Sequence, residues 1–313
     1  MALNIVIGDA TIGVQGEDFS YLFSTSIGGM ESLYKYGKEW LYRAPKPTFW
    51  RATTDNDRGN GFSYRSAVWL AADSFLRCHG IQASMDGEEI RIPLAPANNQ
   101  YAGKVEAKEF EITFAYGAAT IPEMKTEVTY RITEEGTIHI RVHYYGKENL
   151  PELPVFGMRF IMPTPAAGYQ YEGLSGETYP DRMAGGIPGN YEIEGMPVTP
   201  YLVPQDCGVH MDTKWVGIHR TSVLDNSKGG QDRKTLYFKA EEGKTFAFSC
   251  LAYTAEELEN ATHQEELPPV HRTVVSILGA VRGVGGINSW GADVEEPYHI
   301  SGEKDIVYGF TIE

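Results

Sequence analysis

Cysteine is scarce in this sequence. Cys78, Cys207 and Cys250 are the three among 313 residues, an odd number set far apart, without the close pairs that zinc and redox motifs use. A reduced, intracellular setting is expected. Basic residues are also few, 27 Lys and Arg against 42 Asp and Glu, for a formal net charge of -15. A field of that sign repels nucleic acid and anionic membrane, so neither is expected as a partner, and a neutral substrate suits the surface better. Long apolar runs are missing as well. Nowhere do eighteen apolar residues follow one another, and the opening MALNIVIGDATIG has no basic segment and no small-residue cleavage site. The expectation is a soluble, cytoplasmic protein. Repeats of fixed period, charge blocks and low-complexity linkers are absent too, so residues 1–313 read as a single domain with enough length for a sizeable core.

What the sequence does contain is alternation. Short segments rich in Val, Ile, Thr, Tyr and Phe recur nearly throughout, separated by Gly, Pro or Asn turns, which is the pattern of stacked antiparallel sheets. In Thr137 to Tyr145, Ile138, Ile140 and Val142 point to one face while His139, Arg141 and His143 point to the other. Tyr21 to Ser26 and Ser32 to Trp40 flank Gly28 and Gly29, a hairpin whose glycines supply positive φ. Two helices interrupt the strands. One is expected over about Ser63 to Cys78, from Val68, Ala72 and Phe75 at helical spacing; the other follows Thr254, which forms a capping box with Glu257 and must stop before Pro268 and Pro269.

The most distinctive run is Phe49-Trp50-Arg51-Ala52-Thr53-Thr54-Asp55-Asn56-Asp57-Arg58-Gly59-Asn60-Gly61. Gly176-Glu177-Thr178-Tyr179-Pro180-Asp181-Arg182 follows, then Thr199 to Asp206 (TPYLVPQD), then Gly283 to Gly291 (GVGGINSWG), and finally Tyr298-His299-Ile300-Ser301 and Tyr308-Gly309-Phe310. Jointly, and in this order, these marks resemble the small chain, or C-terminal small-chain domain, of the β-galactosidases of glycoside hydrolase family 2 type, and they cover essentially the whole chain. Three positions depart from the family pattern. Thr178 stands where asparagine is usual, Ile287 where an acid commonly follows the two glycines, and Gly279 where an aspartate often sits.

The resemblance implies an all-β fold, a galactose-mutarotase-like supersandwich of antiparallel sheets with one or two short helices. It also implies that this chain carries no catalytic residue. Retaining glycosidases need two carboxyl groups about 5 to 5.5 Å apart, and in this family both are glutamates of a barrel domain, for which the required alternating strand and helix units are absent here. The implied partners are a large catalytic β-galactosidase subunit and a terminal β-D-galactoside such as lactose. Met1 stands almost directly before the first strand, which suggests a separate chain. No cofactor or metal is expected in this chain; magnesium or sodium would belong to the large subunit.

Among single residues, Trp290 is the candidate for substrate binding. Spacing alone favours a core or interface tryptophan. The resemblance instead implies that the Trp of this Ser-Trp motif projects into the galactose site, where an indole face suits the polarised C–H groups of a sugar. Asp57, Arg58, Gly59, Asn60 and Gly61 are read as a candidate active-site loop, with cation binding and simple turn chemistry as the alternatives. His139 and His143 lie about 13 Å apart along a strand, too far to share one ion. Glu177, Tyr179, Asp181 and Arg182 read as a cluster that holds a loop. Two other functions remain open: an aldose epimerase acting alone, with a histidine acid and a glutamate base, and a sugar-binding module without a catalytic partner.

Overall fold

A computed structural model describes residues 2–92, 104–221, 234–288 and 291–313. Among the described residues the strands form three antiparallel sheets. Six strands from Leu3–Ile7 to Lys38–Glu39, closed by Lys104–Ala107, form the first as a run of hairpins. Ten strands form the second, with Ile138–Tyr145 and Ile306–Ile312 side by side near its middle. Five form the third, in the order Val209–Thr213, Phe246–Leu251, Arg272–Val281, Val155–Pro163, Arg43–Thr48. The last is an edge strand, which is where Pro45 and Pro47 do no harm, because an edge needs only one side of its hydrogen-bonding groups.

Alternation has the expected consequence. Ile138, Ile140, Val142 and Tyr144 are buried, and the residues between them face outward. One large core contains Phe23, Phe110, Phe114, Tyr130, Phe160, Phe238 and Phe310, many of them in edge-to-face contact. The hairpin over Phe19–Ser24 and Gly29–Lys35 forms with Gly28 at φ 70°, while Gly29 stays in the extended region and pairs with Ser24.

The helix expected over Ser63 to Cys78 does not form as one element. The chain makes a four-residue turn at Phe62–Arg65, 3-10 turns at Ala67–Trp69 and Ala72–Phe75, and is already a strand at Arg77. Ala71 at φ 58° breaks any continuous helix, and the break lets Trp69 point inward, stacked on Phe49 and donating from Nε1 to the Pro151 and Glu152 carbonyls. Burial of one tryptophan overrides the apolar spacing, and Val68 and Phe75 are left exposed. The helix after Thr254 forms as expected over Ala255–Asn260, with both hydrogen bonds of its capping box in place.

Candidate functional site

Register brings several motif segments to one end of the five-stranded sheet. Thr48 is paired with Gly157 and Val281 with Val155, so the chain leaving Thr48, the chain entering Val155 and the chain leaving Val281 lie together there.

The sequence predicts a loop after the Phe49–Ala52 motif; the chain forms a helical turn, α1, over Asp55–Asn60. Thr54 is its N-cap. Its hydroxyl accepts from Asp57 N at 3.2 Å while Asp57 Oδ2 accepts from Thr54 N at 2.9 Å, and Gly61 at φ 78° ends the turn in the left-handed region.

Asp57 therefore points inward and is fully buried, between two arginines that are 4% and 0% exposed. Its Oδ2 accepts from Arg51 Nη1 at 2.7 Å and its Oδ1 from Arg282 Nη1 at 3.1 Å. Burial alone would pull the Arg51 guanidinium down. The charges of Asp57 and Asp206, with the Asp57 hydrogen bond, together outweigh this and hold it above its ordinary range. Arg282 fills its remaining valences on Glu152 Oε1, at 2.6 Å from Nε, and on Asp293 Oδ1 from Nη2, and its guanidinium lies 3.9 Å from the centre of the Phe62 ring.

These arginines hold the glycine-rich segment that carries Trp290. At its start, Arg51 Nη2 donates to the Gly283 carbonyl at 3.0 Å, Asp181 accepts from the N–H groups of Val284 (3.0 Å) and Gly285 (2.8 Å), Asn56 Nδ2 donates to Val284 O at 3.1 Å, and Arg182 donates to Gly285 O. At its end, Asp293 receives Arg282, Arg65 at 2.8 Å and Asn60 Nδ2 at 3.2 Å. Burial pushes the Asp293 carboxyl up, but the Val294 N–H and the arginines outweigh it and hold it below its ordinary range. Gly285, Gly286 and Gly291 take φ of 74°, 86° and 81°. Any Cβ on Gly291 would stand 2.7 Å from the Gly59 carbonyl, so the segment and α1 are in backbone contact.

Trp290 itself lies outside the described residues. Of the candidate loop, Asp57 is internal, Arg58 reaches Thr53 and the Pro204 carbonyl, Asn60 ties to Asp293, and Gly59 abuts Gly291. Sequence reasoning missed Arg282, Glu152 and Asp293. The expected loop-holding cluster is present: Glu177 accepts from Thr199 and the Gly208 N–H, and Tyr179 donates to Asp206 at 2.8 Å. Burial drives the Asp206 carboxyl up to about 7 against the opposing pull of Arg51. Thr178 accepts from Met211 N, and at Gly279 the space a Cβ would occupy is filled by the Tyr308 ring. Among the described residues no group of three or more His, Cys, Asp or Glu gathers to hold a metal ion, the three cysteines are free, and no helix is long and apolar enough to cross a membrane.

Comparison with known proteins decides the family. The model of the β-galactosidase small chain matches residues 15–312. The chain belongs to the β-galactosidase small-chain family. A Latilactobacillus sakei protein named β-galactosidase small subunit is 58% identical, over 99% of this chain and 97% of its own length. Proteins named β-galactosidase from Halalkalibacterium halodurans (34%) and Streptococcus thermophilus (31%) match over 99% of this chain, which spans only 28% of their length. A structure titled putative aldose 1-epimerase from Escherichia coli K12 aligns over 99% of this chain and 98% of its own at 8% identity and a TM-score of 0.44, a likeness too distant to carry an argument.

Proposed function

We propose that this chain is the small subunit of a two-chain β-galactosidase, supplying part of the wall of a galactoside site whose two catalytic glutamates belong to the large subunit. The correspondence in length carries the reading. The chain matches 97% of a protein named β-galactosidase small subunit and spans 28% of longer proteins named β-galactosidase, which supports placing the catalytic glutamates on a partner polypeptide. The carboxylates flanking the Trp290 segment agree with this, because Asp57, Asp181 and Asp293 are each spent on arginines or backbone N–H groups rather than held free for proton transfer. Their work is to hold the two ends of the glycine-rich segment that carries Trp290 in sequence.

The partner surface lies around the same segment. Tyr64, Leu202 and Ile287 are 87%, 86% and 62% exposed. Tyr64 adjoins Arg65, which is paired to Asp293, and Leu202 stands two residues before Pro204, whose carbonyl takes Arg58. Apolar groups of this kind anchor an interface that must hold two separate chains together, and about 2,000 Å² or more is expected to be covered. The assembled enzyme hydrolyses terminal β-D-galactosides with retention, through a galactosyl intermediate on the large chain. This chain orients the sugar and narrows the cleft.

The test is co-purification with the large chain and an assay of the complex. Alone, the small chain should leave a chromogenic galactoside intact; with its partner, it should support turnover. Trp290→Leu should still assemble and should raise KM about tenfold, the size of a lost aromatic–sugar contact. Hydrolysis by the small chain alone would overturn the proposal.

A further inference from the structure

One short motif late in the chain touches both ends of the glycine-rich segment. Gly283 N–H donates to the Tyr298 carbonyl at 3.0 Å. At the other end, the Val294 carbonyl lies 3.0 Å from His299 Nε2. Tyr298 and His299 are neighbours in the Tyr298-His299-Ile300-Ser301 motif, so the chain from 283 to 294 starts and ends on the same two residues.

The second nitrogen of His299 meets a fixed acceptor. Nδ1 stands 2.7 Å from Glu152 Oε1, which also accepts from Arg282 Nε at 2.6 Å. Glu152 is anchored in turn. Its carbonyl accepts from Ser66 Oγ at 2.8 Å and from Nε1 of the fully buried Trp69 at 3.1 Å. The next residue, Leu153, donates its N–H to the Ile300 carbonyl at 2.9 Å, which holds the Glu152 segment against the motif. One ring therefore joins the far end of the glycine-rich segment to a carboxylate that the body of the fold keeps in place.

The chemistry suits histidine. A carbonyl and a carboxylate both accept, so a ring carrying two N–H groups serves both at once, and a ring carrying one serves only one of them. A charged ring beside Glu152 also makes the stronger bond. Local shape does not require the side chain, because the 3-10 turn over Glu296–Tyr298 closes through its own backbone, Tyr298 N–H donating to Glu295 O at 2.9 Å. Packing does not require it either, since the side chain is 27% exposed. Asp293 already takes the Val294 N–H. What His299 adds is a hold on the Val294 carbonyl.

We propose that His299 is a positioning residue of the galactoside site, fixing the Val294 end of the segment that carries Trp290 without itself touching substrate. The inference rests on Trp290 lining that site in the assembled enzyme. A glycine-rich segment released at one end regains conformational freedom, and the cost of ordering it then falls on substrate binding. KM rises while the chemistry, which belongs to the large chain, is unchanged.

The experiment combines native and variant full-length chains with the large chain and measures kcat and KM for a chromogenic galactoside. His299→Ala should raise KM about three- to fivefold with kcat within about twofold, the effect of one net hydrogen bond. His299→Gln, which keeps an N–H for one of the two acceptors, should raise it about twofold, and it keeps the test in hand if His299→Ala does not fold. Trp290→Leu is the reference. His299→Ala combined with Trp290→Leu should be no worse than Trp290→Leu alone, because a positioning effect disappears with the group positioned. In the isolated chain, hydrogen exchange over residues 283–294 should be about three- to tenfold faster in His299→Ala, with residues 138–145 unchanged. A native KM for Trp290→Leu would overturn the reading of the site and this proposal with it. A raised KM for Trp290→Leu beside a native KM for both His299 variants would overturn this proposal alone, as would losses that multiply in the double variant or native exchange over residues 283–294.

Discussion

Replacing Asp57 by Ala tests whether one buried carboxylate organises the end of the five-stranded sheet. In the native chain it joins Arg51 and Arg282, which are almost inaccessible, and closes the capping box of α1. Removing one partner of a buried ion pair costs about 3 to 5 kcal/mol, because the remaining charge stays desolvated. Loss of an N-terminal cap costs about 0.5 to 2 kcal/mol. The two overlap at Thr54, and Arg282 keeps Glu152 and Asp293, so a net loss of about 4 kcal/mol is expected. Asp57→Asn keeps an acceptor for the Thr54 N–H and gives up only the charge, so about half that loss is expected. Urea unfolding of the isolated chain at neutral pH, followed by tryptophan fluorescence, measures both. Because the pair is screened by protein and not by solvent, the difference from the native chain should hardly change between low and high salt. A loss below about 1 kcal/mol for Asp57→Ala, or one that vanishes in salt, would refute the reasoning.

Gly279→Asp, which restores the acid common at this position in the family, drives a side chain into the Tyr308 ring and should lower stability by about 1 to 3 kcal/mol; an unchanged melting temperature would show that Tyr308 swings aside freely. Asp206 supplies a pH dependence. Burial raises its carboxyl from 3.8 to about 7, so the folded state favours the neutral form, and the stability this gives is complete below about pH 4 and drains away as the pH rises through 7. Asp206→Asn, always neutral, should therefore gain on the native chain in melting temperature between pH 5 and pH 8, and a flat or falling difference would count against the shift.

Much of the fold was legible because sheets write their pattern locally. The two-residue period of Thr137 to Tyr145 and the four-residue box at Thr254 are both short-range signals, and both led to the element observed. Thr54 and Asp57 have the same spacing as Thr254 and Glu257, yet the composition of the segment points to a loop. Its Asn56, Gly59 and Asn60 are turn formers by propensity, and α1 is held by tertiary bonds they do not announce. The stretch after Ser63 failed in the opposite sense: its apolar spacing was helical, but Trp69 found a better burial through a broken backbone. The arginine and carboxylate network was hardest to see, since Arg282 meets Glu152 across 130 residues and Asp57 across 225. No periodicity links such positions.

The form of that network follows from what it has to hold. A segment with four glycines among residues 283–291 has few side chains to anchor in a core, and each glycine gives up more conformational freedom on ordering than any other residue. Apolar packing therefore has little to grip. What remains are backbone N–H and C=O groups, and those are the atoms that Arg51, Asp181, Asn56 and Arg182 address at Gly283, Val284 and Gly285. Charged side chains make the stronger bonds to such groups, and burying them is costly unless each finds a counter-charge. Asp57 supplies that counter-charge to Arg51 and to Arg282 at once. Apolar side chains of equal volume in place of this network would leave the carbonyl of Gly283 and the N–H groups of Val284 and Gly285 without these partners, whatever they returned in packing.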